Sequence, residues 1–318
     1  MNRHILVTGG AGFIGSNLVD YFNEHFPNQK VVVFDDLSSG FEENLSNSDC
    51  ELVVGSILDV PKLLGVSKQA KSVIHLAARG SVPKSVAMPR ATHDVNSSGT
   101  LNVLEAARES NVDHVIVASS SSVYGSNPSL PRSEFDWTRP LSPYAASKLA
   151  TEAYALAYGS SYGMNTLAMR FFNVYGPRQN ADHAYAAVIP KFISAAISKI
   201  PVTIHGDGSQ SRDFTYVESV CSALASASIG GVCHPQPVNT AFGTKTTITQ
   251  LVGHISEGLD CKIDLEYSNA RVGDVKESQA SSELFESLFP DVHRVGLLEG
   301  LDRTIQWFRD KERGNYIL

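Results

Sequence analysis

The sequence has few cysteines, and their positions match no metal-binding pattern. The four are far apart and form no CxxC pair: Cys50, Cys221, Cys233 and Cys261. A chain of 318 residues is long enough to bury a large core without cross-links. Isolated cysteines in such a chain indicate reduced thiols. The sequence therefore predicts no metal site and no disulfide framework, and it favours a cytoplasmic location.

Long hydrophobic runs are also missing. The hydrophobic runs are short, as in Val31-Val32-Val33-Phe34, whereas a membrane-spanning helix needs about 18 or more such residues. Near the N-terminus, Ile5-Leu6-Val7 stops at Thr8-Gly9-Gly10, which makes this apolar segment too short for a signal peptide. We expect neither membrane insertion nor export.

Positive charge is scarce and dispersed along the chain. There are 26 Lys and Arg residues against 33 Asp and Glu, which gives a formal net charge of −7. No segment gathers the dense basic cluster that neutralises a phosphate backbone. Because 42% of the residues are hydrophobic and 19% are charged, the composition is that of a folded globular protein. The sequence therefore does not predict nucleic acid as a partner.

What the sequence does contain is an alternation of short β-rich runs with helical patterns. Apolar, β-branched runs predict strands buried on both faces at Ile5–Thr8, Val31–Asp35, Glu51–Val54, Ser72–Leu76, His114–Ser119 and Thr166–Phe171. Helical periodicity predicts helices between them, including Ile14–Phe22, Thr92–Glu109 and Tyr144–Tyr158. This alternation predicts an α/β fold with a doubly wound parallel sheet, the Rossmann arrangement, over residues 1–172.

After Phe172 proline and glycine divide the chain into shorter pieces, which predicts a second, smaller α/β domain over 173–318. Helices are expected at Val188–Lys199, Val217–Ser228 and Leu297–Lys311. In the last of these, helical spacing predicts core packing for Leu298, Leu301, Ile305 and Phe308. Residues 213–242 are expected to return to the first domain through a strand near 238–241.

The first predicted strand runs into a glycine-rich turn that opens a helix. The segment Thr8-Gly9-Gly10-Ala11-Gly12-Phe13-Ile14-Gly15 fits both GxxGxxG and GxGxxG. Its glycines permit a tight turn, close approach to a pyrophosphate and close helix packing, while the helix N-terminus attracts the anion. Asp35 follows 20 residues after Gly15, where a carboxylate accepts ribose hydroxyls and repels a 2′-phosphate. The pattern predicts a dinucleotide-binding domain that prefers NAD to NADP.

A serine-rich strand end and a YxxxK motif predict a catalytic group. Ser119-Ser120-Ser121-Ser122 ends the fifth strand, and Tyr144 and Lys148 lie one helical turn apart. A free phenol has a pKa of about 10, and a nearby ammonium together with a positive nicotinamide favours the phenolate. Tyrosine then acts as a general base, while a serine hydroxyl bridges the phenol and a substrate hydroxyl.

Taken together, the motifs resemble the extended short-chain dehydrogenase/reductase superfamily of nucleotide-sugar epimerases and dehydratases. The resemblance covers nearly the whole chain and includes His75-Leu76-Ala77-Ala78, the segments 96–100 and 170–177, and 211–217. Within this superfamily the chain looks most like the UDP-N-acetylglucosamine/UDP-N-acetylgalactosamine 4-epimerases, because of residues 80–85 and 184–190. Such a resemblance implies NAD as cofactor and a UDP-sugar as substrate. It also implies a homodimer formed through two helices per subunit, Thr92–Glu109 and Tyr144–Tyr158.

The resemblance assigns roles to individual residues. Ser120 carries the catalytic hydroxyl, Tyr144 is the base, and Lys148 also binds the nicotinamide ribose. The implied cofactor contacts, besides Tyr144 and Lys148, are Gly9, Gly12, Phe13, Ile14, Gly15, Asp35, Ser56, Ile57, Leu76, Ala77, Ala78 and Asn96. The implied substrate contacts are Ser81, Lys84, Ser121, Ser122, Asn173, Val188, His205, Arg212, Arg271, Asp274 and Ser278. The two arginines suit a diphosphate because each guanidinium can donate two parallel hydrogen bonds.

The residues after Ser120 bear on the type of reaction. In the families that this chain resembles, 4,6-dehydratases carry an Asp-Glu pair there and uronate decarboxylases a Glu two positions on. Here Ser121 and Ser122 supply no carboxyl group. The resemblance therefore implies C4 epimerisation of a UDP-hexose through a 4-keto intermediate, an isomerase reaction.

Substrate choice is expected to depend on Ser278, seven residues after Arg271. In the epimerases that this run resembles, a tyrosine there restricts the enzyme to UDP-glucose and UDP-galactose, whereas a small residue leaves room for an N-acetyl group. Ser278 therefore favours UDP-GlcNAc and UDP-GalNAc. The alternatives are a UDP-glucose/UDP-galactose or uronate 4-epimerase, a nucleotide-sugar reductase or dehydratase, and a nucleotide sensor without catalysis.

Overall fold

The computed structural model describes residues 3–181, 187–269 and 276–313. The strands are β1 His4–Thr8, β2 Val31–Asp35, β3 Glu51–Val54, β4 Ala70–His75, β5 His114–Ser120, β6 Thr166–Phe171, β7 Val174–Tyr175, β8 Val202–His205, β9 Ser211–Arg212, β10 Thr215–Tyr216, β11 Val238–Thr240, β12 Thr246–Thr247, β13 Leu265–Ser268 and β14 Glu277–Ser278. The α-helices are α1 Phe13–His25, α2 Val60–Ser67, α3 Val82–Ala87, α4 Pro89–His93, α5 Gly99–Glu109, α6 Pro143–Tyr162, α7 Val188–Ile197, α8 Val217–Gly230, α9 Ile248–Leu259, α10 Glu283–Leu288 and α11 Leu297–Glu312. None of the described helices has the length and apolar character needed to cross a membrane.

A seven-stranded parallel sheet forms the centre of the molecule. Its strand order is β11-β6-β5-β4-β1-β2-β3, and every pairing is parallel. The chain moves outward from β1 to β3 and then returns to β4 on the other side of β1. Such a reversal opens a crevice at the carboxyl ends of the strands, where ligands bind in this class of sheet. The structure confirms the predicted α/β fold class.

Helices cover both faces of the sheet, and β1 shows how the core is divided between them. Ile5 and Val7 belong to one cluster of buried side chains, which also includes residues of α1 and α8. Leu6 belongs to a second cluster, with residues of α2, α5 and α6. Because successive side chains of a strand point to opposite faces, a uniformly apolar strand needs a helical layer on each side.

Two expectations about burial are wrong. Strand β3 was expected to be buried on both faces, but Glu51 and Val54 are exposed because β3 is an edge strand with one neighbour. Leu298, expected in the core, is 56% exposed, whereas Leu301, Ile305 and Phe308 are buried. Leu298 is only the second residue of α11, ahead of the turns that pack against the rest of the protein.

The predicted helix Thr92–Glu109 is divided into α4, a π-helical turn at Asp94–Ser98, and α5. A π-helical turn inside an α-helix is rare and often marks a functional site. This one carries Asn96, whose side-chain nitrogen donates to Ser147 of α6 at 2.9 Å.

The remaining strands form small sheets with the orders β10-β7, β12-β9-β14 and β13-β8. Helices α7, α9 and α11 pack around them and contribute to the larger core cluster. One strand from this part of the chain, β11, pairs with β6 of the main sheet, with Val238 opposite Met169. The division of the chain into two domains near residue 172 stays a prediction.

Candidate active site

The turn after β1 requires glycine at two positions. Gly9 has φ +74°, and a Cβ there would lie 2.6 Å from the backbone nitrogen of Ala77. A Cβ on Gly15 would lie 2.3 Å from the carbonyl oxygen of Gly9. Helix α1 therefore begins closer to the end of β1 than any larger residue allows.

The N-terminus of α1 is also suited to binding an anion. Gly12 occupies the N-cap and brings no side-chain acceptor to the first turn. The amide groups at the start of a helix have no partner within the helix and carry its positive dipole. The space and the donors of this turn therefore fit the pyrophosphate of a dinucleotide.

Asp35 ends β2 and is held against the same turn. One carboxylate oxygen accepts from the Ala11 amide at 3.0 Å, and the other accepts from the Leu37 amide at 2.8 Å. Burial raises the pKa of the Asp35 carboxyl, and these two bonds oppose that effect. Since each carboxylate oxygen has a second lone pair, both can still accept a ribose hydroxyl.

Sheet order brings most of the predicted cofactor residues to this one edge. The run Leu76-Ala77-Ala78 follows β4, and the Leu76 amide donates to the Thr8 carbonyl at 3.0 Å. Ser56 follows β3 and accepts from the Leu58 amide at 3.2 Å. Ile57 is buried and packs closely against Gly99. A Cβ added at Gly99 would lie 2.4 Å from the Cδ1 methyl group of Ile57.

Ser120, Tyr144 and Lys148 also meet at this edge. Ser120 is the last residue of β5, and Tyr144 lies in the first turn of α6, whose N-cap Ser142 accepts from the Ala145 amide at 3.1 Å. The Ser120 hydroxyl is a neighbour of the Tyr144 phenol and lowers its pKa. Lys148, one turn further on, donates through Nζ to the Ala118 carbonyl at 2.8 Å.

Burial dominates the electrostatics of these groups. It raises the pKa of the Tyr144 phenol, and the neighbouring Ser120 hydroxyl opposes that rise. Burial lowers the pKa of Lys148 itself to about 8. The ammonium donates to the Ala118 backbone carbonyl, and stabilisation of the phenolate by the Lys148 charge stays a prediction.

A buried ion pair behind these residues was not predicted from the sequence. Arg170 of β6 donates two hydrogen bonds to Glu152 of α6, at 2.7 and 3.0 Å, and the Ser119 hydroxyl donates to the same carboxylate at 2.7 Å. Both charged side chains are at most 4% exposed. Glu152 lies one turn beyond Lys148 on the same helix, so helical spacing could have identified it.

A chain of polar groups that starts at Thr8 reaches α6, where the Thr100 hydroxyl of α5 lies 3.2 Å from the Thr151 hydroxyl, and it was also missed. The Thr8 hydroxyl lies 2.7 Å from Nδ1 of His75, and Nε2 of His75 lies 3.0 Å from the Thr100 hydroxyl. Burial, with a smaller effect of the Lys148 charge, lowers the pKa of His75 to about 3. His75 is therefore neutral at physiological pH.

Asn96 was predicted to contact the cofactor, and in the structure its amide bonds to the protein. Its oxygen accepts from the Arg79 amide at 2.7 Å, and its nitrogen donates to Ser147. These bonds fix the loop after β4 to α6. A direct contact of Asn96 with the cofactor stays a prediction.

Two predicted substrate residues lie side by side in the small sheet β12-β9-β14. Ser278 is paired with Arg212 in parallel register. Paired residues of adjacent strands point to the same face, so these two side chains share a surface. Asn173 follows β6 with φ +36°, a conformation that side chains rarely adopt, and its amide donates to the Asp213 carbonyl at 2.9 Å.

Asp213 is the residue that holds this surface together, and the sequence did not single it out. Its fully buried carboxylate accepts from the Gly243 amide at 3.0 Å, the Thr244 hydroxyl at 2.7 Å and the Ala280 amide at 3.2 Å. Burial raises the pKa of this carboxyl, and the bonds oppose the rise. Asp213 thereby fixes the chain next to both Arg212 and Ser278.

The other predicted substrate residues are more dispersed. Ser81 has φ +150° and caps α3, accepting from the amide of Lys84 at 3.3 Å. Val188 is the first residue of α7, and His205 ends β8 with Nδ1 at 2.7 Å from the Ser268 hydroxyl. Arg271 and Asp274 lie outside the described residues.

Comparison with known proteins gives a consistent result. The model of the NAD dependent epimerase/dehydratase family matches residues 5–228. A UDP-glucose 4-epimerase of Mycolicibacterium smegmatis is 38% identical over 97% of this chain and 99% of its own. Among solved structures, a UDP-N-acetylglucosamine 4-epimerase from Methanobrevibacter ruminantium M1, in complex with UDP-N-acetylmuramic acid, superposes with a TM-score of 0.92 at 38% identity, over 98% of this chain and 99% of that one. A Thermus thermophilus UDP-glucose 4-epimerase in complex with NAD gives a TM-score of 0.86 at 33% identity, over 96% and 99%.

Proposed function

Because the chain belongs to the NAD dependent epimerase/dehydratase family, we propose that it catalyses NAD-dependent C4 epimerisation of a UDP-hexose, an isomerase reaction. The observation that carries this proposal is the placement of Ser120 at the end of β5 beside Tyr144 in the first turn of α6, with Lys148 one turn along the same helix. These groups lie at the sheet edge that carries the glycine turn. The two residues after Ser120 are serines, which favours epimerisation over a reaction that needs an additional carboxyl group.

In the proposed reaction the Tyr144 phenolate takes the proton of the sugar's C4 hydroxyl, and Ser120 donates a hydrogen bond to the phenolate. The glycine turn binds the pyrophosphate of the cofactor, Asp35 its adenosine ribose, and Lys148 its nicotinamide ribose. Bound NAD supplies the acceptor, and then the donor, of the C4 hydride. Return of the hydride to the opposite face of the 4-keto sugar inverts C4, so no net oxidation occurs.

Asp35 supports NAD over NADP in this proposal. Its carboxylate is buried beside the glycine turn, where it would repel the additional phosphate of NADP. The direct experiment is to purify the protein, release the bound dinucleotide by heat and identify it by mass. The same preparation should interconvert C4 epimers of a UDP-sugar without added cofactor, and Tyr144→Phe should lower the rate about 10²- to 10⁴-fold. An inactive wild-type protein, or one that releases mainly NADP, would contradict the proposal.

We further propose that UDP-GlcNAc and UDP-GalNAc are the preferred substrates. Ser278 is small, and it shares a surface with Arg212, a candidate for binding the diphosphate. The similarity to the Methanobrevibacter enzyme supports this choice, while the Mycolicibacterium and Thermus enzymes favour UDP-glucose and UDP-galactose as the second candidate pair. The test is Ser278→Tyr assayed on all four sugars. It should lose N-acetylhexosamine turnover selectively, and an unchanged ratio would remove Ser278 from the argument.

The assembly and domain proposals follow from the same family membership. We propose a homodimer formed through α5 and α6, and the exposed Tyr154 and Tyr162 on α6 support this choice. Residues 1–172 with 213–242 form the proposed dinucleotide-binding domain, and the rest of 173–318 forms the UDP-sugar domain. Pairing of β11 with β6 supports the return of the chain. Light scattering tests the dimer, and fractionation of the native cells tests a cytoplasmic location.

A further inference from the structure

The hydroxyl of Ser120 receives two hydrogen bonds from a single neighbour. The backbone amide of Ser122 donates to Oγ of Ser120 at 3.2 Å, and the Ser122 hydroxyl donates to the same oxygen at 3.0 Å. A serine hydroxyl has two acceptor lone pairs and one hydrogen. Both lone pairs of Ser120 are therefore in use, and only its hydrogen is left for another partner.

That other partner is the phenol of Tyr144. Because both lone pairs of Ser120 are in use, its hydroxyl can interact with the phenol only by donating its hydrogen, and this agrees with the lowering influence of Ser120 on the pKa of Tyr144. If Ser120 instead relayed a proton from the sugar, its oxygen would have to accept a hydrogen bond from the sugar hydroxyl. In the observed arrangement the hydroxyl of Ser122 occupies that lone pair.

On the basis of the proposed function, we infer that Ser122 is a positioning residue, which fixes Ser120 as a hydrogen-bond donor to Tyr144. The sugar hydroxyl then passes its proton directly to Tyr144. The O4–H bond breaks and the Tyr144 O–H bond forms, while Ser120 keeps its own proton. The electron pair of the C4–H bond leaves as hydride to bound NAD, and a C4 carbonyl results. This assignment differs from the substrate contact that the sequence resemblance gives to Ser122.

The local fold holds Ser122 in this position. Residues Ser121–Tyr124 form one 3-10 turn, and Ser120 is its N-cap. Val123 and Tyr124 are fully buried and anchor the turn, and the Gly125 amide donates to the Ser122 carbonyl at 3.1 Å. These contacts fix the backbone of the turn, and with it the position of Ser122 relative to Ser120.

The test compares Ser122→Ala with Ser122→Thr, which keeps a hydroxyl at the same position. Ser126→Ala, an exposed serine just beyond the 3-10 turn, serves as the control for loss of a hydroxyl in this segment. For each variant, kcat and KM for epimerisation are measured across the pH range. In parallel, the tyrosinate absorbance of the purified protein is titrated, with Tyr144→Phe as the reference that isolates the phenol of Tyr144.

In the plot of kcat against pH, Ser122→Ala should move the acidic limb to higher pH by about 0.5 to 1 pH unit. This is the size expected when one hydrogen bond to a charged system is weakened. The kcat should recover at high pH, KM should stay within about twofold, and the titration of Tyr144 should move in the same direction. Ser122→Thr and Ser126→Ala should keep the wild-type profile.

Two outcomes would overturn the inference. A raised KM with an unmoved acidic limb would make Ser122 a substrate contact, and an equal loss of kcat at every pH would make its role structural. The absorbance titration does not depend on turnover. If the wild-type protein epimerises none of the UDP-sugars, the proposed function fails, while the titration still decides whether Ser122 acts on Tyr144 through Ser120.

Discussion

The buried pair of Arg170 and Glu152 offers a quantitative test of how the active site is held together. Glu152→Gln keeps the size of the side chain and one acceptor oxygen, but it removes the negative charge. Arg170 then remains in the interior, where its side chain is 4% exposed, without the charge of its hydrogen-bonded partner. Arginine does not lose its proton in proteins, so it cannot escape this cost by becoming neutral.

Removing one partner of a buried ion pair typically costs about 3–5 kcal/mol, because the remaining charge stays desolvated. Two features place this site within that range. The pair makes two short hydrogen bonds, and the Arg170 guanidinium also lies over the Tyr124 ring, 4.7 Å from its centroid, which keeps it from turning to solvent. We expect Glu152→Gln to lower the free energy of unfolding by about 3 kcal/mol or more.

The assay is urea unfolding followed by circular dichroism and by fluorescence, whose agreement checks for two-state behaviour. The matched control is Glu51→Gln, which breaks the exposed pair with Lys30, where both side chains are more than half exposed. An exposed pair contributes about 0–1 kcal/mol. A loss for Glu152→Gln no larger than that of Glu51→Gln would refute the claim that this pair holds β5, β6 and α6 together.

The remaining predictions concern the cofactor site and the pH dependence of stability. Gly15→Ala should abolish retention of the dinucleotide, because the added Cβ would lie 2.3 Å from the carbonyl oxygen of Gly9. The control is Gly65→Ala in α2, where an added Cβ has no neighbouring atom within 4 Å, and this variant should retain the dinucleotide. Mass analysis of the material released by heat measures the retention in both variants. Because the pKa of His75 is lowered to about 3, the unfolded chain binds a proton that the folded protein does not, so stability should fall as pH drops below about 6.5. Replacing His75 by Gln should weaken this slope in urea unfolding measured between pH 7 and pH 5, and an unchanged slope would contradict it.

The sequence by itself determined the features that depend on short-range spacing. The glycine turn, Asp35 at the end of β2 and the pair Tyr144 and Lys148 are each defined by neighbours within one or two elements. Their geometry follows from a tight turn, a strand end or a helical repeat, and these are local properties of the chain. The alternation of apolar strands and helices likewise predicted the α/β class, because a parallel sheet requires both of its faces to be covered.

Only the tertiary structure decided which distant groups meet. Glu152 of α6 forms an ion pair with Arg170 of β6. The Asp213 carboxylate accepts hydrogen bonds from Gly243 and Ala280, which lie 30 and 67 residues further along the chain. The sequence placed Lys148 one helical turn from Tyr144, but only folding brings the Ser120 hydroxyl next to the phenol and the Lys148 ammonium to the Ala118 carbonyl. The physical reason is that a buried polar group must find a hydrogen-bond partner inside the protein, and packing of the whole chain selects that partner.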